Sequence, residues 1–230
     1  MTFVGSSPIA SIVKDQCNKL HKRCTALGGA KNHLIALADC NVDETARDVV
    51  VSSAGCAGQR CMAASVLLLC DKGNELLNSI LKIAKNIQAG TGPGQLGPVI
   101  DAASYNKIIN YINDSEKGGA EILLDGRKWG TQMNSSGGHW VGPTVMLHHS
   151  KDDAAMKEEI FGPVLSIYRV ENWAEAIEIE NSNPFGNAAC VYTTNGAYAD
   201  WFVQRFRASM LGINVGIPVP REPFSFGGEL

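Results

Sequence analysis

Cys61 lies in the run Gly55-Cys56-Ala57-Gly58-Gln59-Arg60-Cys61-Met62-Ala63, among small residues and directly after an arginine. A cysteine attacks as its thiolate, and a neighbouring cation or free backbone N–H groups bring its pKa from about 8.5 toward neutrality. The pattern suits covalent catalysis through a thioester. The apolar run that follows, Met62-Ala63-Ala64-Ser65-Val66-Leu67-Leu68-Leu69, equally suits a buried structural cysteine. Spacing alone leaves both readings open.

Other groups able to do chemistry are less well placed. Seven cysteines, an odd number with no Cys-x-x-Cys pair and no clustering with the five histidines, argue against a disulfide framework and a zinc site. They fit a reducing, intracellular compartment. His148-His149 has no Cys or carboxylate ligands at metal spacing and reads as surface, so no metal is expected. The Gly-rich stretch 90–98 lacks the Gly-Lys-Ser/Thr ending of a P-loop and reads as a turn. A net charge of −3 and a pI near 6.0 provide no basic stripe, so no nucleic-acid partner is expected. No apolar run approaches the ~20 residues of a membrane-crossing helix.

With 230 residues, 45% of them hydrophobic, the chain can bury one substantial core or two small ones. Positioning a nucleophile takes such a framework. A strand at 2–6 runs into Gly5-Ser6-Ser7-Pro8, after which Ile9, Ile12, Val13 and Leu20 recur at helical spacing, with Pro8 in the first turn. The opening residues read as neither signal peptide nor transit segment. Strands follow at 25–27 and 33–38, and Asp39-Cys40-Asn41 caps a helix over 42–53. The alternation continues: strand 63–70, helix 74–88, helix 102–117, strand 121–124, a polar surface loop at 130–138, then strands 141–146 and 164–170. Helix 173–180, strand 188–193, helix 197–207 and strand 211–215 complete the series. Such alternation predicts an α/β fold with a predominantly parallel sheet. Both termini look cut, at the opening strand and at Gly227-Gly228-Glu229-Leu230.

Five segments in this order resemble the aldehyde dehydrogenase superfamily: Phe3-Val4-Gly5-Ser6, 26–33, the Cys61 loop, Glu158-Glu159-Ile160-Phe161-Gly162-Pro163-Val164, and Asn183-Pro184-Phe185-Gly186. Gly29-Ala30-Lys31-Asn32-His33 and Gln59-Arg60-Cys61-Met62-Ala63 look like its CoA-acylating methylmalonate-semialdehyde branch. The resemblance implies the end of a Rossmann-type NAD-binding domain at 1–31 and a truncated catalytic domain at 32–230. The arm through which relatives form homo-oligomers would lie beyond Leu230. A second oxyanion donor, a partner arginine, and the lysine and glutamate that grip the adenine ribose would all lie upstream of Met1.

Residue by residue, the resemblance makes Cys61 the nucleophile. Gly5 and Ser6 would approach the NAD pyrophosphate at a helix N-terminus, and Glu159 would hold the nicotinamide ribose with Phe161 beside it. Arg60 would bind the carboxylate of malonate or methylmalonate semialdehyde; its alternatives are lowering the Cys61 pKa or a structural salt bridge. Asn214 and the turn at 184–186 would shape the pocket. Ala26 stands where hydrolytic relatives carry a glutamate base, and a methyl group accepts no proton. Coenzyme A would then cleave the thioester, yielding propionyl-CoA or acetyl-CoA. The expected location is cytoplasmic, or the mitochondrial matrix in a eukaryote. Three alternatives stand beside this reading: an incompetent fragment that at most folds or pairs, a hydrolytic dehydrogenase of other substrate range, and a cysteine-dependent esterase or acyltransferase.

Overall fold

The computed structural model describes residues 1–70, 73–133, 137–219 and 222. They form two compact units, Met1–Ala30 and Lys31–Leu230. The expected terminal features at 227–230 lie outside the described residues.

The first unit is a small βαβ motif. β1 (Thr2–Val4) leads into α1 (Ser7–Lys19), and β2 (Thr25–Leu27) returns parallel to β1 with Phe3 opposite Ala26. Pro8 occupies the first turn of α1, where a missing N–H costs nothing. The helix start closes on the turn after β2, where Ser7 Oγ accepts the Gly29 N–H at 2.9 Å. A Cβ on Gly28 would lie 2.8 Å from that oxygen, so the approach requires glycine.

The second unit begins with β3 (Asn32–Ala36), α2 (Val42–Ala54), a 3₁₀ turn at Gly55–Gly58, β4 (Ala64–Leu69) and α3 (Glu75–Lys85). It continues through α4 (Ala102–Lys117), β5 (Glu121–Leu124), α5 (Lys128–Gln132), β6 (Thr144–His148) and α6 (Ala154–Lys157). β7 (Val164–Arg169), α7 (Trp173–Ser182), β8 (Ala188–Tyr192), α8 (Gly196–Val203) and β9 (Met210–Ile213) complete it. The strands form one sheet in the order β5-β6-β7-β4-β3-β8-β9, parallel except for the β5–β6 pair. The expected parallel α/β architecture is present.

Both faces of the central strands are covered, as a parallel sheet requires. Alternate residues of β3 show it: Leu34 and Ala36 join a core with α2 and α3, while Ile35 packs on the other side with Ile179 of α7 and Phe202 of α8. Side chains at the N-terminal ends of α2, α4 and α7 accept backbone N–H groups: Asn41 from Glu44, Asp101 from Ser104 and Asn172 from Glu175.

Two stretches differ from the sequence expectation. Part of the expected loop at 130–138 belongs to α5, stabilised by Asp125 accepting both the backbone N–H and the guanidinium of Arg127; residues 134–136 lie outside the described set. β6 starts at Thr144 instead of 141. The Gly142 N–H goes to Gly126 O and Pro143 has no N–H to give, so ladder bonding begins at the Thr144 N–H, on Pro163 O.

Candidate active site

The start of β4 is where the Cys61 loop is held. α2 ends at Ala54, and the chain then takes three successive left-handed residues, Cys56 (φ 54°), Ala57 (φ 54°) and Gly58 (φ 66°). Two of these carry a Cβ, and such residues cost of order 1 kcal/mol or more each unless their surroundings enforce them. The enforcing contacts come from four directions. Gly58 packs against Gly162, so closely that a Cβ would stand 1.9 Å from its carbonyl oxygen. Gln59 Oε1 accepts the Ile100 N–H at 2.9 Å. Arg60 Nη2 donates to the Val51 and Ser52 carbonyls at 3.2 and 3.1 Å, near the end of α2. The Cys61 carbonyl accepts from Asn32 Nδ2 at 2.8 Å and from Asn187 Nδ2 at 3.0 Å.

This last pair is an amide clamp, with Asn32 buried and Asn187 half-buried. Asn32 opens β3 and also donates to Ala63 O, while Asn187, just before β8, donates to Asn32 Oδ1 at 3.0 Å. With the Cys61 carbonyl thus occupied, the backbone direction at the cysteine is fixed and its half-buried side chain is left to its surroundings. The site lies at the N-terminal ends of β7, β4, β3 and β8. Ligand crevices in open α/β sheets usually open at the C-terminal ends, so fold class alone would have pointed to the wrong edge. Asn187 has no signal of its own in the sequence beyond following the 183–186 segment, and its partners are more than a hundred residues away.

Arg60 is a helix-capping cation in this geometry, satisfying two of the last carbonyls of α2. Its Nε is buried without a partner. The other thiol of the loop, Cys56, is exposed.

Glu159 and Phe161 reach the same neighbourhood through Gly162. Lys107 of α4 donates to Glu159 O at 2.7 Å, and the Tyr111 hydroxyl donates to Glu158, so α4 anchors the segment by its backbone and by the preceding carboxylate. Burial, then that carboxylate, push the Tyr111 hydroxyl pKa up. Phe161 is left-handed (φ 58°) yet 41% exposed: the chain accepts a disfavoured conformation to present an aromatic ring to solvent. Behind the segment Lys31, 2% exposed, donates to Ala155 O at 2.7 Å, and burial lowers its pKa to about 7 against the opposing pull of Glu159.

In the first unit, Ser6 is the N-cap residue of α1 but its side chain makes no capping bond, and the first turn carries no acidic residue. The hydroxyl and the positive helix end are therefore available to an anion. Gly5 continues the strand by donating to Leu27 O. Ala26 sits mid-β2, paired to Phe3.

One expectation needs correction. His148 is buried at 2% exposure, because as the last residue of β6 it turns inward and its Nδ1 meets Asp153 Oδ2 at 2.7 Å; burial lowers its pKa. His149 is exposed and meets Glu121. Asn214 makes its hydrogen bonds to Thr193. It lies past β9, left-handed (φ 51°), and binds both backbone groups of Thr193, turning the chain so that the Ile217 N–H reaches Ser52 Oγ on α2. In the 183–186 segment, Asn183 accepts the Phe185 N–H and donates to Lys157 O. Among the described residues no helix is long and apolar enough to cross a membrane, and no three or more His, Cys, Asp or Glu side chains could hold a metal ion.

Comparison with known proteins gives the chain's relatives. The aldehyde dehydrogenase family model matches residues 1–229. The malonate-semialdehyde dehydrogenase of Halalkalibacterium halodurans is 41% identical over 232 residues, which are 99% of this chain and 47% of that protein. That of Bacillus cytotoxicus is 37% identical over 233 residues, 100% of this chain and 48% of that protein. The crystal structure of a methylmalonate-semialdehyde dehydrogenase from Oceanimonas doudoroffii superposes with a TM-score of 0.93 at 36% identity, covering 98% of this chain and 47% of that one. A structure named for the same activity, from Sinorhizobium meliloti and complexed with NAD, gives 0.93 at 34% identity over 99% and 47%. The chain spans about half the length of the curated relatives it matches.

Proposed function

Because the chain belongs to the aldehyde dehydrogenase family, we propose that it serves the NAD-dependent, CoA-acylating oxidation of malonate or methylmalonate semialdehyde, with Cys61 as nucleophile. The observation that carries the reading is the clamped Cys61 backbone, whose carbonyl is held by the amides of Asn32 and Asn187 at the junction of four strand starts. The names of its relatives support the substrate class.

On this reading the Cys61 thiolate attacks the aldehyde carbon, forming a C–S bond and a tetrahedral oxyanion. The Cys61 N–H would donate to that oxygen. NAD, when bound, accepts the hydride that leaves the tetrahedral carbon, and the C–S bond stays as a thioester. Gly5 and Ser6 at the α1 start, Glu159 and Phe161 are the residues that would hold it. Arg60, next to the nucleophile in the chain, would contact the substrate carboxylate. With alanine at position 26 no side chain there can activate water. The substrate carboxylate leaves the thioester as carbon dioxide and the carbanion left behind takes a proton from water; the CoA thiolate then attacks the acyl carbon, releasing acyl-CoA and restoring the Cys61 thiolate.

The test is NADH formation from each semialdehyde with and without coenzyme A, with Cys61→Ala as control. CoA-dependent turnover lost in the control is expected. Equal turnover without coenzyme A overturns thiolysis, turnover surviving in Cys61→Ala overturns the nucleophile, and no turnover overturns the activity of this chain.

A further inference from the structure

The start of β3 sends consecutive side chains to two parts of the candidate site. Asn32 reaches the Cys61 carbonyl. Lys31, one residue earlier and buried, reaches α6, where its Nζ donates to Ala155 O at 2.7 Å. Ser166 Oγ of β7 donates to the same oxygen at 3.1 Å. α6 is a single turn: the Glu158 N–H closes on Ala154 O at 2.8 Å, and the chain leaves helical geometry at Glu158 (φ −100°, ψ 151°). Carbonyls at a helix end lack intrahelical donors, and a cation suits them both as donor and as charge. Lys31 takes that place from the edge of the sheet. Glu159 follows directly, and its own carbonyl accepts from Lys107 of α4 at 2.7 Å. The stretch 155–159 is thus held at both ends by lysines of different elements.

Stability alone does not call for a lysine at position 31. Ser166 already gives Ala155 O a donor, and burying an ammonium is costly unless it is paired. The charge of Glu159 favours the Lys31 ammonium against that burial, which sets the two within electrostatic reach. We propose that Lys31 is a positioning residue of the candidate site, fixing the backbone that carries Glu159 relative to the nucleophile loop; this rests on the reading of Cys61 as nucleophile and Glu159 as the carboxylate that holds the nicotinamide ribose. The anchors of both halves are adjacent residues, whose Cα atoms are about 3.8 Å apart. A shift of the 155–159 backbone is then a shift of the cofactor's reactive ring against the cysteine, and a displacement of about 1 Å can cost a factor of about 100. Lys31 touches neither cofactor nor substrate in this role. It acts through Glu159.

The test is a double-mutant cycle on the full chain, read as the NADH dissociation constant by NADH fluorescence. Methionine keeps much of the volume of lysine without its donor or its charge, so Lys31→Met retains the packing. The dissociation constant of this variant is expected to rise about tenfold. Glu159→Gln should weaken binding on its own, and the double variant should bind as Glu159→Gln does, within about twofold. A role in stability alone would add its loss on either background. An affinity of Lys31→Met within about twofold of the unsubstituted protein overturns the proposal, as does a loss that multiplies with that of Glu159→Gln. Should Lys31→Met fail to fold, Lys31→Gln takes its place with the same expectation, because its amide is one atom shorter and falls short of Ala155 O. An unsubstituted chain that binds no NADH overturns the cofactor reading and this inference with it, an outcome distinct from equal affinities.

Discussion

Asn32 and Asn187 direct amide hydrogens at the Cys61 carbonyl, which keeps one donor when either is removed, but removing Asn32 also takes the donor from the Ala63 carbonyl and removing Asn187 takes the one from Asn32 Oδ1. An orphaned buried polar group costs about 1–3 kcal/mol. Asn32 serves two carbonyls, those of Cys61 and Ala63, whereas Asn187 serves one carbonyl and the Asn32 oxygen. Asn32→Ala should therefore destabilise more than Asn187→Ala, with both in or slightly above that range by urea denaturation. Equal wild-type midpoints for both variants would remove the clamp from the account. At His21 the reasoning reverses. A histidine in the left-handed region carries a penalty of about 1–2 kcal/mol, which glycine avoids at the cost of a more flexible unfolded chain. His21→Gly should raise the unfolding free energy in urea modestly, by under about 1 kcal/mol, since the bonds of the turn, from the His21 N–H to Asn18 O and the Lys22 N–H to Cys17 O, are backbone bonds and persist.

The elements act on the candidate site through one close contact. The Cys61 loop and the 158–163 segment meet at Gly58 and Gly162, and Gly162 in turn lies on Ile108 of α4, where a Cβ would stand 2.6 Å from Ile108 Cδ1. Gly58→Ala places a methyl into a carbonyl oxygen and forces a left-handed alanine. The expected loss is more than about 3 kcal/mol, and an ordinary surface-like effect below about 0.5 kcal/mol in chemical denaturation would show that the loop has room to move. Much of this framework was legible in the chain itself: the continuous apolar strands, the amphipathic α4 and the Asn41 cap follow from periodicity and turn chemistry, which are local. Cys61 was legible as a motif. What escaped is non-local or too short to carry a period. Asn187 acquires its part from partners at 32 and 61, the four-residue α6 has no apolar stripe to read, and His148 is buried because of its place at the end of β6. The bonds of Asn214 are non-local too, since its partner Thr193 lies just past the neighbouring strand β8.

At the scale of the whole molecule, the buried titratable groups set how stability depends on pH, and they pull in opposite directions. His33 is 2% exposed, and burial, reinforced by Lys31, lowers its pKa to about 3. Between about 3 and 6.5 the unfolded chain therefore binds the extra proton, and His33 makes stability rise with pH in that window. Glu180 on α7 is 4% exposed with Oε2 lacking a partner, and burial raises its pKa to about 7 against the pull of Arg207. Between about 4.5 and 7 it is the folded protein that holds the extra proton, so Glu180 makes stability fall as pH rises, and its contribution is complete only below about 4.5. The two slopes offset each other from about 4.5 to 6.5. Lys31, lowered to about 7, makes stability rise again from there toward 10.5 as the unfolded lysine keeps a proton the folded one has lost. Glu180→Gln keeps the shape and removes one of the opposing slopes. Measured by urea denaturation, the stability of this variant relative to the unsubstituted protein should grow by about 1.4 kcal/mol per pH unit from about 4.5 to 7, then level off. A difference that stays constant across that range would mean that Glu180 ionises in the folded protein as it does in the unfolded chain, and the mid-range plateau would then have to come from other groups.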